Sequence, residues 1–200
     1  MQPTVFTIGH STHLQEYFIS LLSMHGITAL CDVRSKPYSR INPQFNREDL
    51  KQSLREKSVA YVFLGKELGA RSEDPSCYEN GKLQYVRLAQ SALFQQGIER
   101  VQEGMKDHGI ALMCAEKEPL ECHRTILVAR YLEDFGVEIQ HIHADGRLES
   151  HAEALGRLER IFNLDELDLF RSREDLLADA YRLQAERIAY DTGAFGSAAG

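Results

Sequence analysis

Short apolar segments alternate with helical patterns five times along the sequence, and this alternation restricts the fold more than any other feature. The segments cover residues 5–8, 27–33, 59–64, 110–113 and 137–143. Strands that alternate with helices pair in parallel, and the helices cover both faces of their sheet. Five strands are too few for a closed eight-stranded barrel. We therefore expect an α/β fold, with an open, mainly parallel five-stranded sheet between helices on both faces in a Rossmann-like, three-layer arrangement.

The length and the C-terminal pattern indicate how the chain is divided. Residues 1–150 are assigned to one α/β domain, which is long enough to bury a sizeable core. Helical patterns follow His151 and Ser172, so residues 151–191 are expected to form a C-terminal helical extension. This extension is expected to pack on the main domain or on a second copy of the chain, which leaves a homodimer open. Residues 192–200 are small and rich in glycine and alanine, and we expect them to be disordered.

Three local signals indicate where helices begin or break. Thr12 with Gln15, and Ser172 with Asp175, have the spacing of capping boxes at helix N-termini. A helical pattern that runs from Val86 to Met105 is expected to be interrupted near Gly97, because glycine weakens a helix.

Charge and composition exclude several classes of protein. The net charge of -7 argues against a general nucleic-acid coat, although a local basic cleft for nucleic acid stays open. No apolar run approaches the ~20 residues of a membrane span, so we expect no membrane partner. The N-terminus lacks the basic and apolar pattern of a secretory signal. The four cysteines are then expected to be free thiols in a reducing compartment, and the sequence favours a cytoplasmic protein.

Polar and reactive residues follow three of the predicted strands. Gly9-His10-Ser11 follows the first strand, and Asp32-Val33-Arg34 ends the second. The group after the fourth strand contains Cys114, Glu116, Cys122, His123 and Arg124. Because ligands of open α/β sheets bind outside the carboxyl ends of the strands, we expect the three groups to meet at one edge. A long loop over residues 35–46 adds Ser39 and Arg40.

The residue types suggest how this edge would catalyse a reaction. The candidate catalytic residues are His10, Asp32, Glu116, Cys122 and His123. A thiol at a helix N-terminus beside cationic neighbours is favoured as thiolate, which makes Cys122 the candidate nucleophile. The two histidines are candidates for proton transfer, and the two carboxylates would orient them or share the proton. Cys114 is a further candidate thiol, although a free cysteine at a strand end also packs as a small hydrophobic residue.

A second set of residues is suited to binding an anion, because it offers guanidinium, hydroxyl and backbone N–H donors. The set consists of Gly9, Ser11, Arg34, Ser39, Arg40 and Arg124. Purely structural interpretations stay open at this point. Ser11 is also suited to cap a helix, Asp32 and Arg34 to form a structural ion pair, and Cys122 to lie inert in the core.

Two interpretations that involve zinc are weaker. Cys114-Ala115-Glu116 with Pro119 and Cys122 has part of the zinc deaminase signature, but it lies on one loop and lacks the required second cysteine. Zinc held by Cys114, Cys122 and a histidine lacks a C-x-x-C pair. There is also no P-loop, no G-x-G-x-x-G and no G-x-S-x-G pattern. We therefore expect neither a metal nor a cofactor.

The motifs of the three groups resemble those of a known family. The motifs come in the order found there. They are Thr7-Ile8-Gly9-His10-Ser11, then Asp32-Val33-Arg34 followed by Pro37, Ser39 and Arg40, then Cys114-Ala115-Glu116, and finally Cys122-His123-Arg124. Together they resemble the uncharacterised bacterial and archaeal family called domain of unknown function 488, over about residues 4–145. The resemblance implies an α/β domain and no particular reaction.

The sequence therefore favours an enzyme that acts on an anionic, phosphate-bearing substrate, such as a nucleotide or a nucleic-acid end. If the Cys122 thiol attacks, the enzyme is a thiol phosphatase or a sulfurtransferase-like transferase. If it does not, histidine and carboxylate side chains would activate water for hydrolysis. The alternative is a module without catalytic activity that binds a ligand in the same basic pocket or senses redox state through Cys114 and Cys122.

Overall fold

A six-stranded sheet forms the centre of the protein. The computed structural model describes residues 3–164 and 171–193. The strands of the sheet are β1 (Thr4–Gly9), β2 (Ala29–Asp32), β3 (Ala60–Phe63), β6 (Ile110–Cys114), β7 (Glu138–Ile142) and β8 (Leu148–Ser150). They lie in the order β3-β2-β6-β1-β7-β8. A separate small hairpin consists of β4 (Tyr78–Glu79) and β5 (Lys82–Leu83).

The predicted open and mainly parallel sheet is confirmed, with one strand more than expected. The five predicted strands pair in parallel with their neighbours. The sixth strand, β8, pairs antiparallel with β7 after the Asp145-Gly146 turn, where Gly146 has a φ of +84°. The Leu148-Glu149-Ser150 sequence of β8 has no apolar run, which is why hydrophobic pattern alone did not indicate it.

Helices cover both faces of the sheet, as predicted. They are α1 (Gln15–Met24), α2 (Arg47–Glu56), α3 (Tyr85–Ala89), α4 (Ala92–Gly104), α5 (Arg130–Glu133), α6 (His151–Ile161) and α7 (Arg173–Ile188), with a π-helical segment at Arg124–Ala129 that leads into α5. Leu30 and Met113 pack with α1 and α2 in one core cluster. Cys31 and Leu112, their chain neighbours, face the other cluster with α4, α6 and α7. The alternation of strand side chains therefore builds the three layers.

Two of the predicted helix signals are wrong. Helix α1 begins at Gln15 with Leu14 at the N-cap, and leucine has no side-chain oxygen to cap the helix. The Gln15 amide donates to the Gln44 carbonyl. The helical stretch breaks at Ser91, which caps α4, and Gly97 lies inside α4. A Cβ on Gly97 would lie 2.7 Å from the Leu68 side chain, so the glycine permits close packing there. The capping box at Ser172 is confirmed.

The C-terminal helices lie against the main sheet and its loops. In α7, the buried Gln184 amide donates to the Leu120 carbonyl over 2.7 Å.

The disorder predicted for residues 192–200 concerns mainly residues 194–200, which lie outside the described residues. Among the described residues, no helix is both long enough and apolar enough to cross a membrane.

A chain of four buried polar side chains connects the sheet to α7. Thr7 Oγ1 lies 2.8 Å from His141 Nδ1, His141 Nε2 lies 3.0 Å from His151 Nδ1, and His151 Nε2 lies 2.9 Å from the Tyr181 hydroxyl. All four residues are at most 3% exposed. Both imidazoles can satisfy these contacts in the neutral form, and burial lowers the pKa of His151 to about 4.

Candidate functional site

The three sequence groups meet at the carboxyl edge of the sheet. Strand β6 lies between β1 and β2, so the residues that follow these strands become neighbours. His10 N–H donates to the Cys114 carbonyl over 2.9 Å, and Ser11 N–H donates to the Ala115 carbonyl over 3.0 Å. On the other side, Val33 N–H donates to the Met113 carbonyl over 3.1 Å. Backbone hydrogen bonds therefore hold the three groups together beyond the last strand residues.

Asp32 and Arg34 form a buried, two-pronged ion pair. Arg34 Nε and Nη2 donate to the two Asp32 carboxylate oxygens over 2.9 and 2.6 Å. The Tyr61 hydroxyl also donates to Asp32, over 2.7 Å, and Arg34 Nη2 donates to the Phe45 carbonyl over 2.8 Å. Bidentate geometry of this kind fixes the plane of the guanidinium group. Arg34 is thus oriented rigidly, with Nη1 directed at His10.

The contacts of His10 determine its protonation. Its Nε2 lies 3.1 Å from Arg34 Nη1, and its Nδ1 lies 2.9 Å from the Ser11 carbonyl oxygen. Arginine only donates and a carbonyl only accepts, so Nδ1 carries the hydrogen and Nε2 is unprotonated. Burial, and then the charge of Arg34, lower the pKa of His10 to about 4. His10 is therefore neutral at physiological pH and stacks on Phe45 with ring centroids 4.4 Å apart.

A cavity of about 400 Å³ opens beside this ion pair, and we call it the Arg34 cavity. It is lined by His10, Ser11, Thr12, Arg34, Lys36, Tyr38, Ser39, Asn42 and Ala115. Lys36 supplies positive charge, the Asp32-paired guanidinium of Arg34 supplies one remaining Nη1–H donor, and hydroxyl and amide groups supply further donors. Ser11 has a φ of +48°, a conformation uncommon outside glycine. The lining is suited to a small anion or a phosphate group.

Gly9 allows the first and third groups to approach each other. A Cβ on this residue would lie 1.9 Å from the Glu116 carbonyl oxygen, which is far inside contact distance. We expect Gly9→Ala to push the 115–117 backbone away and to lower the free energy of unfolding by about 1–3 kcal/mol. Urea denaturation compared with wild type would measure the loss. Gly156→Ala is the control, because the nearest atom to a Cβ there is a flexible arginine tip at 3.9 Å.

Two thiols, an imidazole and a carboxyl group form a second cluster, which we call the thiol cluster: Cys114, Glu116, Cys122 and His123. The sulfurs of Cys114 and Cys122 each lie 3.8 Å from His123 Nδ1. The Cys122 thiol lies 3.1 Å from Glu116 Oε2. His123 Nε2–H donates to the Val33 carbonyl over 3.0 Å, so that Nδ1 faces the two sulfurs. Both cysteines and His123 are buried, whereas Glu116 is exposed.

The cluster favours an ionised Cys122. Burial opposes ionisation, but the Cys114 S–H that donates to Cys122 and the charges of Arg124 and His123 bring the pKa of Cys122 well below its usual value. The Cys122 thiolate in turn raises the pKa of His123 against the effect of burial. The pKa of Cys114 is raised, because it keeps the proton that it shares with Cys122. Loss of water around the carboxyl, followed by the charge of Cys122, raises the pKa of Glu116.

Arg124 lies behind the thiol cluster and is completely buried. Its Nη1 donates to the Glu116 carbonyl over 2.7 Å and its Nη2 to the Lys117 carbonyl over 3.3 Å. Its Nε has no hydrogen-bond partner among the described residues. Among the described residues, no Asp or Glu carboxylate forms an ion pair with Arg124 within 4.0 Å. Arg124 therefore holds the loop that carries Glu116 and places a buried positive charge near Cys122.

The structure does not bring every predicted residue to the same place. Ser39 lines the Arg34 cavity, but Arg40 is exposed on the loop and does not line it. None of the thiol-cluster side chains lines the cavity either, although Ala115 does. A second cleft of about 370 Å³, between α3, the π-helical segment and α7, contains none of the predicted site residues.

Sequence reasoning missed two residues of this edge. Tyr61 donates to Asp32 from the neighbouring strand β3, and nothing in its apolar strand pattern indicated that contact. Lys36 lines the cavity from the same proline-containing loop as Ser39. Its place between Arg34 and Ser39 in the sequence is the signal that would have found it.

A family model described as domain of unknown function DUF488 matches residues 14–132, which is more than half of the 200-residue chain. The chain therefore belongs to this family, which confirms the predicted family resemblance. The matched segment includes Asp32, Arg34, the thiol cluster and Arg124, and it begins after Gly9-His10-Ser11. No curated protein and no solved structure matches the chain.

Proposed function

We propose that the protein is an enzyme that binds an anionic, phosphate-bearing substrate in the Arg34 cavity and acts on it by hydrolysis or by thiol-dependent transfer. The observation that carries this proposal is the position of an open cavity, lined by Lys36 and by the Asp32-paired Arg34, next to a buried thiol–imidazole cluster at one sheet edge. The two are connected through adjacent residues: Arg34 follows Val33, the partner of His123, and Ala115 follows Cys114.

The cavity supports the binding half of the proposal. Its volume of about 400 Å³ is within the ~300–1,000 Å³ range of small-molecule sites. Asp32 holds the Arg34 guanidinium in place and balances its charge, and neutral His10 accepts one Nη1–H, so the remaining Nη1–H is a donor of fixed orientation. Lys36 lies exposed at the rim and adds a mobile cation. A phosphate group matches this combination of a fixed guanidinium and a flexible ammonium group.

The thiol cluster supports the catalytic half. In the thiol route, Cys122 Sγ forms a bond to phosphorus, the bond to the leaving oxygen breaks, and that oxygen takes a proton from His123. In the hydrolytic route, water attacks phosphorus and gives its proton to Glu116, the bond from phosphorus to the leaving oxygen breaks, and that oxygen takes a proton from His123. A substrate would approach Cys122 from the side of Glu116, the exposed member of the cluster.

Substitution of Lys36 tests binding without disturbing the core. Lys36→Gln is expected to weaken binding of inorganic phosphate and phenyl phosphate about three- to tenfold, because one cation of the cavity is lost. Isothermal titration calorimetry at low salt would measure this change. Lys57→Gln, which removes the same charge from an exposed residue outside the cavity, is the control. Equal affinities for both variants and wild type would overturn the assignment of the cavity.

A turnover screen tests the chemistry. Phosphate monoesters, phosphodiesters and thiosulfate are the probes, with wild type compared to Cys122→Ser and Glu116→Gln. With a metal chelator present, loss of turnover in Cys122→Ser alone supports the thiol route, whereas loss in Glu116→Gln alone supports hydrolysis. Phosphate binding without turnover of any probe would instead favour the ligand-binding alternative.

A further inference from the structure

We infer that Cys114, Cys122 and His123 form a site for one zinc ion or a similar thiophilic divalent cation. The geometry points to this inference because two sulfurs and one ring nitrogen converge on a common point. The three atoms lie within 4.8 Å of one another, and each sulfur lies 3.8 Å from His123 Nδ1. A tetrahedral ion with Zn–S of about 2.3 Å and Zn–N of about 2.0–2.1 Å separates its sulfur and nitrogen ligands by roughly 3.6 Å. Small side-chain shifts therefore suffice to bind the ion.

The orientation of His123 supports a ligand role. Metal-binding histidines almost always donate their second ring N–H to a carboxylate, a backbone carbonyl or water. His123 does this already, since Nε2–H donates to the Val33 carbonyl over 3.0 Å. The neutral ring then carries its lone pair on Nδ1, which is directed at both sulfurs. The imidazole is thus preoriented before any ion binds.

The surrounding charges also fit a divalent ion. Glu116 Oε2 lies 3.1 Å from Cys122 Sγ, so its carboxylate is in place as a fourth ligand or as a base beside bound water. A divalent ion with two thiolates and this carboxylate carries a net charge of −1. The buried guanidinium of Arg124, which no carboxylate of the described residues pairs, balances that charge. Arg124 N–H, 3.5 Å from Cys122 Sγ, is also placed to donate to a thiolate.

The absence of a C-x-x-C pair does not exclude this site. That spacing serves sites in which one tight turn supplies two ligands. Here Cys114 ends strand β6, while Cys122 and His123 precede the π-helical segment, and a loop of seven residues folds back between the cysteines. Two thiolates and one imidazole with an exchangeable fourth position form the ligand set of a catalytic zinc site. If the proposed function holds, a bound ion would favour its hydrolytic route, because metal-bound thiolates are no longer free to attack.

The test is metal binding by the full chain, reduced and stripped of metal. Titration with Zn²⁺ is expected to reach one equivalent per chain. Co²⁺ in place of Zn²⁺ is expected to give thiolate-to-cobalt charge-transfer absorption whose intensity corresponds to two thiolates. Cys122→Ser and Cys114→Ser are each expected to weaken zinc binding more than about 100-fold, beyond the 10–100-fold typical of outer-shell changes. Cys31→Ser and Cys77→Ser, the other two buried free cysteines, are the matched controls and should bind as wild type.

The cobalt spectrum of the wild-type chain needs no variant, so it tests the metal site even if a serine variant fails to fold. Absorption that corresponds to none, one or more than two thiolates would overturn the site, as would equal losses in Cys77→Ser and Cys122→Ser. Phosphate binding is measured separately through Lys36→Gln. Failure of zinc binding with intact phosphate binding would therefore reject only the metal site, and the reverse result would reject only the assignment of the cavity.

Discussion

Replacing Asp32 with alanine is expected to lower the free energy of unfolding by about 3–5 kcal/mol. The substitution leaves the Arg34 guanidinium charged and only 6% exposed, with its two carboxylate acceptors removed. The Tyr61 hydroxyl loses its acceptor at the same time. A buried charge without its partner costs far more than the intact pair contributes, which is why a single truncation has so large an effect.

Urea denaturation at pH 7 would measure this loss. Glu103→Ala is the control, because it breaks an ion pair with Lys106 in which both side chains are more than 60% exposed. Such a surface pair contributes about 0–1 kcal/mol. The double variant Asp32→Ala with Arg34→Met removes both charges and is expected to recover at least half of the loss. If Asp32→Ala behaved like Glu103→Ala, the pair would not be a buried structural element of the site.

Asp32 and Arg34 illustrate how far sequence could predict the site. Their positions at the end of a strand, and the parallel pairing implied by alternating elements, were enough to place them at one edge with His10 and Cys114. The sequence predicts strand β6 from a continuous apolar run, which arises because that strand is buried on both faces. The side-chain contacts at this edge of the sheet could not be predicted from the sequence. That His10 is neutral depends on Arg34, and that His123 faces two sulfurs depends on the Val33 carbonyl.

The features that sequence missed depend on long-range partners. Strand β8 consists of Leu148-Glu149-Ser150, and its buried Glu149 is satisfied by Arg157 and His143. Gln15 appeared to complete a capping box but bonds to the Gln44 carbonyl. Local spacing cannot show such competition between partners. A cytoplasmic location and a homodimer through the C-terminal helices stay predictions.

The buried histidines make the fold sensitive to acid. Burial lowers the pKa of His151 to about 4. In the unfolded chain a histidine titrates near pH 6.5. Between these values the unfolded state binds more protons, so stability is complete above about pH 6.5 and falls as the pH is lowered towards 4. At pH 5 the loss is about 2 kcal/mol for such a histidine. His10 and His141, whose pKa values are also lowered by burial, act in the same direction, while His123 acts in the opposite one.

His151→Gln isolates the contribution of one histidine. His151 faces His141, the Tyr181 hydroxyl and, at 3.8 Å, the Glu133 carboxylate. Glutamine does not titrate, so the variant is expected to lose about 2 kcal/mol less than wild type between pH 8 and pH 5. At pH 8 it is expected to be less stable by about 1 kcal/mol, because one hydrogen bond is lost. Urea denaturation at both pH values measures these differences, and exposed His108→Gln is the control. If wild type and His151→Gln lost equal stability between pH 8 and pH 5, protonation of His151 would not contribute to the acid sensitivity, and the prediction would be wrong.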